Sequence, residues 1–150
     1  VAGAMEGMLL GVRSIALSQV FGFGGARAID FAPARAFGPE VLRRVLAADL
    51  PADALVNVNF PDRPPAEVRG VAITRQGKRD PGLLFVDERL DGRGQPYYWI
   101  AFERHRSEPP PGTDLRAIDE GYVSVTPLAL DLTAHALQAR LEAGWRDAPS

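Results

Sequence analysis

An α/β fold with parallel strands is predicted from two alternations of helix and strand. A helical stretch near residues 4–9 stops at Gly11 and leads into a short apolar strand at residues 14–20. An amphipathic stretch at residues 39–48 then leads into an alternating strand at residues 55–61. Helix, glycine, apolar strand is the second half of a βαβ unit, whose strands lie side by side in a parallel sheet.

The elements follow in order. Ala4, Met8 and Leu9 recur at helical spacing, and Gly11 is a natural C-terminal stop. No Ser, Thr or Asp precedes that helix as a cap, and the chain opens at Val1. The expectation is therefore a chain that enters mid-fold, its upstream strands missing. After the strand Ser14-Ile15-Ala16-Leu17-Ser18-Gln19-Val20 comes Phe21-Gly22-Phe23-Gly24-Gly25, whose glycines do not make a dinucleotide fingerprint and predict a flexible strand-end loop. Pro39 suits a helix first turn, with Val41, Leu42, Val45 and Leu46 as the apolar stripe and Pro51 beyond the end. Residues 71–74 read as a further strand running into the basic segment Arg75-Gln76-Gly77-Lys78-Arg79, a solvated strand end rather than a phosphate site.

Residues 83–91 and 96–102 flank Gly92-Arg93-Gly94-Gln95 and predict a β-hairpin. Its second strand places Tyr97, Trp99 and Ala101 on one face and Tyr98, Ile100 and Phe102 on the other. A strand apolar on both faces needs cover twice, either as core or against a partner subunit. The partner is the expectation, which makes Tyr97, Tyr98, Trp99, Ile100 and Phe102 an oligomerisation arm. A proline linker at residues 109–111 follows, with Thr113 or Asp114 capping a short helix through Ile118. Residues 122–128 form the last strand, and residues 133–143 a last helix with Leu137 and Leu141 on one side. If that helix starts near Leu132, Asp131 and His135 meet one turn apart, and a structural clasp is the expected role of the pair.

Composition narrows the function. The 150 residues are 46% apolar and 24% charged with net charge −2, which fits one ordinary domain and gives no electrostatic footprint for a nucleic acid duplex or an anionic membrane. The absence of cysteine excludes disulfides and thiolate chemistry, and the two histidines, His105 and His135, stand in no metal-binding pattern. No apolar run approaches the ~20 residues of a transmembrane helix, and a cytoplasmic location is the expectation.

Several segments resemble one family in order along the chain. Gly112-Thr113-Asp114, Ala117, the run from Gly121-Tyr122-Val123 to Thr126-Pro127-Leu128, and Asp131-Leu132-Thr133 are similar to the C-terminal signature of the SurE family of stationary-phase survival proteins. Asn57-Val58-Asn59-Phe60-Pro61, Thr74-Arg75-Gln76-Gly77-Lys78-Arg79, Gly94-Gln95-Pro96-Tyr97-Tyr98-Trp99 and Ser14-Ile15-Ala16-Leu17-Ser18 resemble further family segments. The start, Val1 to Gly7, looks like the helix after the family's Ser-Gly-Thr phosphate loop.

The resemblance implies a Rossmann-like three-layer sheet lacking its N-terminal strands, with a protruding hairpin and a C-terminal strand-helix extension. Residues 1–61 would belong to the nucleotidase core and residues 62–150 to the hairpin and oligomerisation region. It implies a nucleoside monophosphate phosphatase using a divalent cation of the Mg²⁺ or Mn²⁺ type. The family's ligands, an adjacent Asp pair, a Ser and an Asn, have no counterpart here. No catalytic residue and no metal ligand is therefore expected in this chain. Val1 and Ser18 are its substrate-adjacent candidates, and its expected partners are the missing N-terminal half and further copies in a dimer or tetramer. The other open possibility is a non-catalytic assembly module.

Overall fold

Strand β2 (Ala54–Phe60) is the most deeply buried element, because its apolar and amide side chains alternate and its apolar set meets a helix. It lies in the computed structural model between β1 (Ile15–Gln19), to which it is parallel, and β6 (Val123–Ala129), to which it is antiparallel. A short β3 (Val71–Ile73) runs parallel to β6 and completes the sheet order β1-β2-β6-β3. The structure describes residues 1–21, 30–79, 84–102 and 108–146. Among these, no strand pairs with the other edge of β1. The sheet thus draws two strands from each side of residue 61.

The core forms on one face of this sheet. Val56, Val58 and Phe60 of β2 and Val123 and Val125 of β6 pack against Val41 and Val45 of α2 (Ala32–Ala47). Each such side chain contributes roughly 1.5–3 kcal/mol by leaving water. The period of two then turns Asn57, Asn59, Ser124 and Thr126 to the opposite face. That face is held by hydroxyl bonding: Thr74 Oγ1 lies 2.9 Å from Ser124 Oγ and 2.7 Å from Thr126 Oγ1, all three residues buried.

The helix expected from Pro39 starts earlier. Asp30 Oδ1 accepts the Ala32 amide at 2.8 Å, Pro33 occupies the first turn, and Pro39 lies inside the helix. Gly38 is buried beside the Phe60 ring, so packing on the sheet carries the helix through a Gly-Pro pair that local preference disfavours. Helix α1 (Ala2–Leu9) ends as expected, with Gly11 at φ +75°. Of its predicted stripe Met8 is buried while Leu9 faces water. The loop Gly22 to Gly25 lies outside the described residues, as do Leu83, His105 and residues 147–150.

Strands β4 (Leu84–Leu90) and β5 (Pro96–Phe102) form a separate two-stranded sheet. Asp91 closes its turn by accepting the Arg93 and Gln95 amides, and Gly94 takes φ +76°. The register opposes Trp99 to Asp87 and Ile100 to Val86. Both faces are open: Trp99 is 56% and Ile100 71% exposed, so the described residues do not cover the arm as core. The side chain of Phe102 lies outside the described set.

Helix α3 (Asp114–Asp119) is capped by Thr113, whose Oγ1 accepts the Arg116 amide. Helix α4 (His135–Arg146) starts two residues later than expected and buries nothing. Leu137, Leu141 and Trp145 recur every fourth residue along it, all exposed. No helix among the described residues is long and apolar enough to cross a membrane.

Candidate functional site

Ligands in open α/β sheets bind beyond the carboxyl ends of parallel strands. Here those ends belong to β1 and β2, where Ser18 is in register with Asn59 and Gln19 with Phe60. Ser18 is exposed and makes no side-chain hydrogen bond among the described residues. Gln19 is tied down: its Nε2 donates to the carbonyls of Val20 at 2.9 Å and Pro61 at 2.8 Å. That leaves Gln19 Oε1 buried without a donor among the described residues, and Asn57 Oδ1 shares this condition.

Beside these strand ends opens an apolar cleft of about 640 Å³, walled by Leu17, Ser18, Gln19, Phe31, Leu42 and Phe60. Val1 is the N-cap of α1 and is exposed; its carbonyl accepts the Ala4 and Met5 amides. Ser18, a substrate-adjacent candidate from the sequence, stands in the wall of this cleft, whereas no sequence spacing points to Gln19 or Asn57 as buried amides. The buried hydroxyl trio leaves one signal in the sequence, the alternation of Val123 and Val125 with Ser124 and Thr126, which by itself specifies only a strand.

The predicted clasp residues meet. His135 Nε2 lies 3.2 Å from Asp131 Oδ2, both side chains well exposed. They meet through a turn rather than along a helix, because Asp131 Oδ1 accepts the Thr133 amide at 2.8 Å before α4 begins. Hydrogen bonds from the Thr133 hydroxyl and amide, and then from His135, hold the Asp131 carboxyl below the usual carboxylate range. The arm residues Tyr97 and Trp99 stack edge to face at 6.4 Å, on the same face as the Arg89–Asp87 ion pair.

Comparison with known proteins places this arrangement. Residues 1–82 match the model of the family described as survival protein SurE. The chain belongs to the SurE family.

Its likeness to SurE proteins extends past the matched segment. The 5′-nucleotidase SurE of Parvibaculum lavamentivorans is 53% identical over 133 residues, covering 89% of this chain and 48% of that relative. The 5′-nucleotidase SurE of Azorhizobium caulinodans is 52% identical over 141 residues, covering 94% of this chain and 55% of the relative. Among solved structures, the SurE protein from Aquifex aeolicus superposes with a TM-score of 0.69 at 39% identity, covering 95% of this chain and 56% of that one. The chain spans about half the length of the curated relatives it matches.

The SurE structure bears out the expected α/β fold with a hairpin, while β6, antiparallel to β2, makes the sheet mixed where parallel strands were expected. As for a metal, no three His, Asp or Glu side chains among the described residues come together in a way that could hold one. Of the adjacent acidic residues Asp87-Glu88 and Asp119-Glu120, Asp87 pairs with Arg89 and Glu120 with Arg116. The described residues of this chain do not fit a divalent-cation centre.

Proposed function

We propose that this chain is the C-terminal portion of a nucleoside monophosphate phosphatase of the 5′-nucleotidase type, whose divalent cation is held by polypeptide outside these residues. The observation that carries this is the unpaired edge of β1. A strand that exposes a row of amides and carbonyls on an apolar, half-covered sheet stands next to something in the working protein. No residue of β1 is fully buried here, so its edge is open to receive a further strand. The relatives named 5′-nucleotidase carry about as much sequence again outside the matched region, enough to supply those strands.

In this arrangement α1 presents its N-terminal amides toward the substrate phosphate, where a helix end favours an anion. Val1 and Ser18 line the approach to it. The arm Tyr97, Tyr98, Trp99, Ile100 and Phe102 packs on a second copy in a dimer or tetramer, and Asp131 with His135 fixes how α4 leaves the body. The wide exposure of the arm and of α4 also favours a second possibility, an assembly module without chemistry of its own.

Phosphate release from AMP with Mg²⁺ or Mn²⁺ separates the two. A longer protein that includes polypeptide N-terminal to Val1 is expected to turn over, and the 150-residue chain alone to stay at the buffer rate. No release from the longer protein would leave the assembly module. Metal-dependent release by the short chain would place the chemistry inside these residues after all.

A further inference from the structure

The arm is inserted between β3 and α3, and the two stretches of backbone from which it departs are bound to each other. The Arg75 amide donates to the Gly112 carbonyl at 3.0 Å, and the Asp114 amide donates to the Arg75 carbonyl at 3.0 Å, so Arg75 and Thr113 form a parallel bridge. The Asp114 carboxylate completes the tie. Its Oδ1 accepts the Gly77 amide from the outgoing stem at 2.7 Å and the Leu115 amide of its own helix at 2.8 Å. Thr113 is buried beside it and donates its hydroxyl to the Pro110 carbonyl at 2.7 Å.

Both stems are shaped for this contact. A Cβ on Gly77 would stand 2.8 Å from Asp114 Oδ1 and 3.0 Å from the Leu115 side chain, too close for either to stay. Gly112 takes φ +75°, where a side chain is strained. One carboxylate oxygen thus joins an amide of the outgoing stem to an amide of the returning one. A bond of this charged type is roughly twice as strong as a neutral one.

We infer that Asp114 is the positioning residue of the arm: it ties the two stems together and so sets the points from which the arm reaches a second copy. This rests on the proposal above that the arm docks on such a copy. The physical reason is preorganisation. An arm on two untied stems loses conformational freedom when it docks, which weakens association, whereas a tie already made within the chain removes part of that loss. Asp114 stands in the signature segment and reads from sequence as a helix cap; its bond to Gly77 across the two stems is visible only in the structure.

The test compares wild type, Asp114→Ala and Asp114→Asn in the longest available protein, by amide hydrogen exchange and by sedimentation against concentration. Asn keeps an oxygen able to accept both amides, so it is the rescue variant. Asp114→Ala is expected to speed exchange at Gly77 by about tenfold and to raise the concentration needed for assembly by a similar factor. The amides of Val58 and Val125 should keep their wild-type rates, and Asp114→Asn should restore most of both effects. Unchanged exchange at Gly77 would overturn the tie. Equal acceleration at Val58 and Val125 would overturn the positioning role, since Asp114 would then serve the whole fold. Fast Gly77 exchange with assembly unaltered, or a wild type that never assembles, would overturn the link to docking. Nucleotidase activity in the wild type is read separately and decides only the catalytic proposal.

Discussion

Strands β2 and β5 are both seven residues long, yet their fates differ. In β2 the apolar residues alternate with two asparagines, and Val58 and Phe60 are 0% and 1% exposed. In β5 six of seven positions are apolar or aromatic, and Tyr98, Trp99 and Ile100 face water. The strand with more to hide is the one left open. Local pattern settles that both are strands, because alternation and β-branched or aromatic side chains suit a pleat. Cover depends on what the rest of the molecule brings. β2 has α2 above it and strands on both edges, whereas among the described residues β5 has only β4. An open, doubly apolar strand is a surface waiting for another chain.

The largest expected effect makes this contrast quantitative. Phe60→Ala should cost about 3–5 kcal/mol in urea unfolding, because it empties a site enclosed by α2 and β6. That is a large part of the 5–15 kcal/mol typical of a domain. Trp99→Ala in a monomeric sample should change stability by less than about 0.5 kcal/mol, as exposed substitutions do. A Trp99→Ala cost comparable to that of Phe60→Ala would show that the arm is core.

Assembly should rank the two residues the other way. Trp99→Ala is expected to lower the oligomeric state in size-exclusion chromatography at concentrations where wild type is associated. A truncated aromatic anchor at the centre of an interface commonly costs about 2 kcal/mol or more of binding. An unchanged elution position would mean that copies meet through another surface, such as the exposed Leu137-Leu141-Trp145 stripe of α4.

Much of the fold was legible because its elements are short and strongly patterned. The strand at residues 55–61, the hairpin and the Thr113 cap lie within a residue of where spacing put them. The first two turns of α2 were not legible. Gly38-Pro39 breaks the local helical signal, and packing of Pro33, Ala34, Phe37, Gly38 and Val41 against a sheet formed far along the chain carries the backbone through it. The Asp131–His135 contact was visible as a four-residue spacing, although a turn rather than a helix makes it. Gln19 was invisible, since its role comes from the Phe60 and Pro61 carbonyls, which the neighbouring strand supplies. The expected cation had no trace in the residues at all and came only from family resemblance.

A smaller effect is expected at the C-terminal end. His135→Ala in an assembled protein should weaken assembly while leaving turnover per assembled oligomer near wild type. Pairs this exposed hold geometry more than they add stability, so the melting curve of the monomer should not move. Turnover lost by several orders of magnitude with assembly intact would mean that His135 reaches a substrate proton, as a general acid or base must.

The smallest expected effect belongs to the surface of α2, the helix that covers β2. Glu40 takes hydrogen bonds from Arg43 at 2.8 Å and Arg44 at 2.6 Å, which lower its pKa from 4.5 to about 2. A depressed folded pKa means that the unfolded chain binds the proton more readily. The stabilisation is therefore complete above about pH 4.5 and is lost as pH falls toward about 2. All three side chains stand in water, so salt should screen most of it. Glu40→Gln should flatten the acid limb of stability slightly at low ionic strength and leave neutral pH almost untouched. The carboxyl resonance of Glu40 in an NMR titration checks the shift directly. A midpoint near the ordinary value would show that the two arginines move freely in solution, and that α2 is held by its buried face on β2 alone.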